Sequence, residues 1–292
     1  MTAPLSEFQE LYNQFEALRI REAINYEKMN EALISHHSTA IEGSSLTEDE
    51  SRLLLTEGLT AKGKPLSDHN MVKDHQAALE MVAAMAKRKE RITPAMVQAV
   101  AAVVMKNTGS VIHAAAGTFD SSKGDWRKVA VAVGTRYFTN HQSIERDVTV
   151  LCGALDKANQ AVKELTDVYD LAFDAHFQLV SIHPFADGNG RTSRLLMNYI
   201  LAYHDKPLAM LYAEDKQDYY AALEKAREQD PANLQPVRDF LYGQQSKFFK
   251  EEIAKITVGN KYKSEQTPLL RQILEQPSQQ EQRQANRFLS LR

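Results

Sequence analysis

The chain has 292 residues, 43 % of them hydrophobic and 25 % charged, with a net charge of −3. That length supports one large or two ordinary domains with a sizeable core. The composition is that of a soluble globular protein, and the total charge gives no reason to expect nucleic acid or an anionic membrane as partner.

The N-terminal stretch M-T-A-P-L-S-E-F-Q-E has neither a basic nor an apolar region, so no signal peptide is expected. Residues 6–33 read as helix, with Phe8, Leu11, Phe15 and Leu18 at steps of three and four. The segment I-S-H-H-S-T-A-I-E-G at 34–43 ends a helical run on a carboxylate, Glu42, with no obvious cation nearby in sequence. Thr47 precedes Glu50 at capping-box spacing. Met71, His75, Ala78, Val82 and Met85 form another helical stripe, followed by the basic run Lys87–Arg91. Cations at a helix C-terminus account for that run. Thr93-Pro94 marks the next helix start. The longest apolar run, Ala99–Met105, is too short to span a bilayer.

Lys128–Phe138 breaks the helical pattern. Val129, Val131 and Val133 alternate with Lys128, Ala130 and Ala132, Gly134-Thr135 can turn the chain, and Tyr137-Phe138 can return it. A small β-hairpin follows, either a plain surface excursion or an open strand edge for a peptide partner. Helical spacing resumes from Ile144 through Val148, Leu151, Leu155, Ala158 and Val162 to Leu165, with Cys152 beside the stripe as a core residue. Cys152 is the only cysteine, which rules out an intrachain disulfide and fits a reducing, cytoplasmic setting. After Gly259 the chain turns polar and Gln-rich, with short helices expected at 267–275 and 285–291. The expected division is N-terminal helices over 1–60, a core over 61–258 and a polar tail over 259–292.

Chemistry concentrates in S-I-H-P-F-A-D-G-N-G-R-T-S-R-L-L, residues 181–196. A helix over 168–182 is expected to stop before Pro184, and another restarts with Leu195, Leu196, Tyr199, Ile200 and Tyr203. Between them Gly188, Asn189 and Gly190 let backbone N–H groups converge at a helix N-terminus, which favours an anion. Arg191 and Arg194 add two guanidinium groups suited to phosphate. Asp187 offers one hard oxygen ligand, in keeping with Mg²⁺ shared with phosphates. His183 is a base near neutral pH. A base, a metal carboxylate and a polyphosphate cradle suggest transfer of a phosphorus group from a nucleotide.

The run H-P-F-A-D-G-N-G-R-T-S-R resembles the signature of the Fic family, His-Pro-Phe-x-Asp/Glu-Gly-Asn-Gly/Lys-Arg-x-x-Arg, at every specified position. With its helical surroundings, the hairpin "flap" and the pair Tyr219-Tyr220, the resemblance spans about residues 30–250. It implies a mostly α, Fic-type helical domain and an adenylyltransferase that moves AMP from ATP to a Ser, Thr or Tyr hydroxyl of a target protein. By position, His183 would deprotonate the hydroxyl and Asp187 would hold Mg²⁺ on the α- and β-phosphates. Gly188, Asn189 and Gly190 would form the anion hole. Arg191 and Arg194 would hold the outer phosphates, with Arg194 on the γ-phosphate. Phe185 would anchor the motif in the core, Tyr219 and Tyr220 would border the adenosine, and the hairpin at 128–138 would present the target. A relative that phosphorylates has Lys where Gly190 stands; others transfer phosphocholine or UMP. Gly190 and the complete Arg pair favour AMP.

One class of these proteins carries an inhibitory helix with the signature Ser/Thr-x-x-x-Glu-Gly/Asn. Ser38-Thr39-Ala40-Ile41-Glu42-Gly43 matches it. The resemblance implies that Glu42 occupies Arg194 in place of the γ-phosphate, with Ser38 bracing the carboxylate one turn away. Otherwise Glu42 is a solvated helix-end residue and Gly43 its cap. Removal of AMP assisted by Glu42, and a non-catalytic nucleotide-binding or partner-binding scaffold, are the alternative functions. Oligomer formation regulates many relatives, but no interface is legible in the sequence. His36 and His37 flank the helix with no metal expected.

Overall fold

The computed structural model describes residues 2–22, 26–133, 136–228 and 233–275. Ten α-helices carry these residues, in the order α1 (Ala3–Ala17), α2 (Tyr26–Ile41), α3 (Glu48–Glu57), α4 (Leu66–Lys87), α5 (Pro94–Val104), α6 (Ile144–Ala161), α7 (Leu165–Ile182), α8 (Asn189–Tyr203), α9 (Lys216–Arg227) and α10 (Gln235–Glu275). Two antiparallel hairpins lie between α5 and α6: β1 (Val111–Ala114) with β2 (Gly117–Asp120), and β3 (Ala132–Val133) with β4 (Arg136–Tyr137).

The core explains the order. Helix α8 is buried along nearly its whole length, from Asn189 to Leu201, so it forms the axis on which α4, α5 and α7 pack. At one end of the bundle α1 lies along α10, where Phe8 and Phe15 meet Tyr242, Phe248 and Phe249 at ring-centroid distances of 4.8–6.3 Å. The N-terminal helices therefore share the core cluster of the rest of the chain.

Local signals hold where chemistry fixes them. Thr47 and Glu50 form the expected capping box, and the Thr93 side chain accepts from the Met96 N–H ahead of Pro94. Cys152 is buried, and burial pushes its thiol up to about 12. Three expectations give way. The helix read over 6–33 breaks at Leu18, because Arg19 adopts a left-handed conformation (φ 50°) and α2 starts anew at Tyr26. The stripe from Ile144 to Leu165 is two helices, since Val162 is extended after α6 and Leu165 opens α7. The boundary expected at 258–259 falls inside α10, which also absorbs residues 267–275. The helix read over 285–291 lies outside the described residues.

The hairpin expected over 128–138 is present, with Ala132 opposite Tyr137 and Val133 opposite Arg136, but only two residues per strand; its turn at 134–135 lies outside the described residues. The sequence reading missed the β1–β2 hairpin. Gly117 (φ 115°) allows its return, and the Lys128 ammonium donates to the Thr118 carbonyl, tying the two hairpins together.

Candidate functional site

The corner between α7 and α8 is closed by its own side chains. His183 ends α7 in a left-handed conformation (φ 56°, ψ 58°). The Asn189 carboxamide then clamps the loop, accepting from the Phe185 N–H at 2.9 Å and donating to the Phe185 carbonyl at 2.8 Å. Phe185 is buried and packs on Trp126 at 5.0 Å, so the core anchor is where it was expected. The Asn189 side chain is thus occupied in closing the loop, which leaves only its main chain for an anion.

Gly188 is required twice over. Its φ is +81°, and a Cβ there would press on the Met105 sulfur at 2.9 Å. It caps α8 without a side-chain acceptor, which leaves the first-turn N–H groups to an incoming anion. Arg191 and Arg194 follow, both buried. Arg191 Nη2 touches Asp187 and the Met105 sulfur at 3.3 Å each, while its Nε and Nη1 are buried with no acceptor among the described residues. Arg194 Nη1 is likewise without an acceptor. Desolvated guanidinium nitrogens of this kind call for an anion with several oxygens.

Glu42 reaches this cradle from α2. Its Oε1 accepts from Arg194 Nη2 at 2.8 Å, with the Arg194 side chain 4 % and the Glu42 side chain 27 % exposed. Gly43 (φ +103°) turns the chain directly after Glu42, so the cap and the ion pair belong to one device. Gly190 makes room for it: any Cβ at Gly190 would overlap the Glu42 carboxylate and lie 3.0 Å from Arg194 Nη1.

Ser38 differs from its expected role. Its hydroxyl accepts from Arg194 Nε at 2.9 Å and its carbonyl from Nη2 at 2.8 Å, so it braces the arginine rather than Glu42. Three oxygens of α2 and its C-terminal turn therefore converge on one buried guanidinium.

His183 faces the same corner. Its Nδ1 donates to the Val180 carbonyl at 3.4 Å, which leaves Nε2 as the free basic nitrogen. Burial lowers its pKa to about 4, so it is neutral near pH 7. The Phe138 ring stacks on the imidazole at 4.0 Å. Asp187 is two-thirds exposed, with Oδ1 accepting from the Gly188 N–H at 2.6 Å.

The tyrosine pair divides. Tyr220 is partly exposed beside the site, with the Lys216 ammonium 5.7 Å from its ring centroid. Tyr219, expected to border a nucleotide, is 2 % exposed and turned inward, its hydroxyl 2.9 Å from His176 Nε2 and against Arg194. His36 and His37 are structural: His36 contacts the Ser51 hydroxyl at 3.1 Å, and His37 Nδ1 accepts from the Ala213 N–H at 3.2 Å. Reading the sequence also missed Arg127 and Met105, because neither carries a local pattern that points to residues 183–191.

The Fic/DOC family matches residues 91–201, which contain the whole α7–α8 corner. Over 241 residues, 81 % of this chain and 44 % of the relative, the sequence is 31 % identical to protein adenylyltransferase fic-1 of Caenorhabditis briggsae. The protein adenylyltransferase Fic of Culex quinquefasciatus is 29 % identical over 204 residues, 68 % of this chain and 38 % of the relative. The chain thus spans less than half the length of these curated relatives. A Fic-domain-containing signalling protein from Bacteroides thetaiotaomicron has a similar fold, with a TM-score of 0.72 at 21 % identity over 85 % of this chain and 95 % of that one. The chain therefore carries a Fic domain and is a member of the Fic family.

Proposed function

We propose that this protein is an autoinhibited protein adenylyltransferase, which transfers AMP from ATP to a hydroxyl of a target protein and is held off by Glu42. The observation that carries the reading is the Glu42–Arg194 ion pair at 2.8 Å, inside a cradle where three further buried guanidinium nitrogens have no acceptor among the described residues. A carboxylate and a terminal phosphate compete for the same buried cation. While Glu42 is bound, the γ-phosphate lacks that partner and the α-phosphate is held out of line with the attacking oxygen; a misplacement of about 1 Å can cost a hundredfold in rate.

Each group then has a task. His183 Nε2 takes the proton of the target hydroxyl as that oxygen attacks the α-phosphorus. The first-turn amides of α8 and the two arginines hold the phosphates, and pyrophosphate leaves. Among the described residues no three His, Cys, Asp or Glu side chains gather to hold a metal by themselves. The outward-facing Asp187 carboxylate still fits Mg²⁺, which takes one or two protein carboxylates and completes its shell with phosphate and water. When bound, the ion would neutralise charge on the α- and β-phosphates. The β3–β4 hairpin, with Tyr137 79 % exposed, would present the target segment.

The test is self-labelling and lysate labelling with α-labelled ATP and Mg²⁺. Glu42→Gly is expected to label strongly and Glu42→Gly/His183→Ala to be silent. Equal labelling with and without Glu42 would remove the inhibitory role, and labelling that survives loss of His183 would remove the base.

A further inference from the structure

Arg127 is among the largest fully buried side chains, at 1 % exposure, and among the described residues it faces no carboxylate. Its charge is instead spread over three carbonyls. Nε donates to His183 O at 2.7 Å, Nη1 to Val129 O at 2.6 Å and Nη2 to Thr139 O at 2.6 Å. Its own N–H donates to Pro184 O at 3.0 Å. Val129 and Thr139 lie on the two arms of the β3–β4 hairpin, on either side of its strands. His183 and Pro184 are the first residues after α7. A single guanidinium thus fastens both arms of the hairpin to the corner that carries the imidazole.

The consequence reaches the ring. His183 sits in a left-handed conformation that a non-glycine residue adopts only when its surroundings hold it there. Arg127 holds the carbonyl of this strained residue and that of Pro184 directly after it. Next to Thr139, Phe138 donates its N–H to Val131 O at 3.2 Å and lays its ring on the imidazole. Besides the bonds of His183 to Leu179 and Val180 in α7, it is therefore held on its main chain by Arg127, at the foot of the hairpin, and on its ring by Phe138.

We propose that Arg127 and Phe138 are positioning residues that lock the hairpin and His183 into one unit, so that a target segment lying along the hairpin is brought into register with the base. The proposal rests on the reading of His183 as base and the hairpin as target platform. Lysine cannot replace Arg127, since one ammonium cannot reach three carbonyls arranged for a planar fork. Phe138 also covers one face of the imidazole.

The experiment has two arms. In the first, histidine ring signals of the full chain are titrated by NMR, with His183 assigned by its loss in His183→Ala. Both Arg127→Lys and Phe138→Leu are expected to raise the His183 midpoint by about one unit or more, while the His37 and His176 signals keep theirs. In the second, Arg127→Lys in the Glu42→Gly chain is expected to lower the labelling rate tenfold or more, with the dissociation constant for ATP and Mg²⁺ changed less than twofold. An unmoved His183 midpoint in both variants overturns the proposal, as does undiminished labelling. If Arg127→Lys fails to fold, Phe138→Leu decides alone in both arms. If the Glu42→Gly parent does not label, the functional reading has failed and the titration still decides the structural coupling.

Discussion

Replacing Glu42 by Gln keeps the size of the side chain and removes its charge, so it isolates the electrostatic part of the contact with Arg194. The arginine is almost fully buried and Glu42 is about one-quarter exposed, so the pair is sheltered but not dry. A hydrogen bond to a charged group contributes about 1.5–3 kcal/mol. Arg194 keeps its two bonds to Ser38, which argues for a value near the middle, about 2 kcal/mol. At about 1.4 kcal/mol per tenfold, that is roughly a thirtyfold shift toward the open cradle. Labelling at subsaturating ATP is expected to rise by a factor of that order. Stability should move the opposite way. For a chain of this size each kcal/mol is worth about 2–4 °C, so the variant should melt about 4–8 °C lower without nucleotide. ATP with Mg²⁺ should recover part of that loss by binding the native state. The assay is quantitative labelling beside thermal melting with and without nucleotide. A Gln variant that labels at the wild-type rate and melts at the wild-type temperature would refute the claim that this ion pair closes the site.

Gly190→Ala forms a cycle with Glu42→Gly. Alone, the added methyl overlaps the Glu42 carboxylate and should destabilise the chain; with Glu42 removed, only the 3.0 Å approach to Arg194 Nη1 remains and the change should cost clearly less, as melting of the four proteins will show. Ser38→Ala removes the acceptor of Arg194 Nε but leaves the Ser38 carbonyl, so it should loosen the closed state by about 1 kcal/mol and raise labelling roughly fivefold, well below the Glu42 variants. Burial holds His183 and His37 down to about 4 and His176 to about 3, against about 6.5 in the unfolded chain. The unfolded state therefore binds more protons between these values, so their contribution to stability is complete above pH 6.5 and is lost as pH falls toward 4. Denaturant melts between pH 7 and 5 should show that decline. Labelling by the Glu42→Gly chain should have no inflection near pH 6.5 from the base, because His183 is already neutral there.

What was legible in the sequence was chemistry carried by neighbours in the chain. The corner at 183–194 is one contiguous run, so its glycines and arginines could be assigned to a helix N-terminus, and its histidine to the end of the helix before it, by spacing alone. The capping box at Thr47 and the stop at Pro184 are local in the same sense. The Glu42–Arg194 contact joins residues 152 positions apart and was legible only through the motif resemblance. The direction of Ser38 was misjudged because helical spacing relates it to Glu42, whereas the buried guanidinium presents the stronger demand for oxygens. Tyr219 was misjudged for the same reason: the sequence places it on α9 but does not say which way that helix turns its aromatic face. Arg127 was invisible, because three backbone carbonyls have no residue type and leave no trace in composition.

The geometry around α2 bears on how inhibition could be released. Ile34 and Ile41 anchor the helix in the core, Ser35 bonds Gln76 at 3.1 Å and contacts His75 at 3.1 Å, and His37 receives the Ala213 N–H. Beyond the helix, Asp68 accepts from both the N–H and the hydroxyl of Ser45 at 2.8 and 2.6 Å. None of these contacts involves the Glu42 side chain. The helix is therefore fixed on both sides of Glu42, while among the described residues the carboxylate itself has one hydrogen bond, at 2.8 Å to Arg194. On the autoinhibited reading proposed above, opening the cradle would need only rotation of the Glu42 side chain toward solvent. Keeping the site about 99 % closed requires roughly 2.7 kcal/mol, within the range of one charge-assisted hydrogen bond. If Glu42 inhibits as proposed, a regulator would need to stabilise its open rotamer by only that amount and would not need to unfold α2.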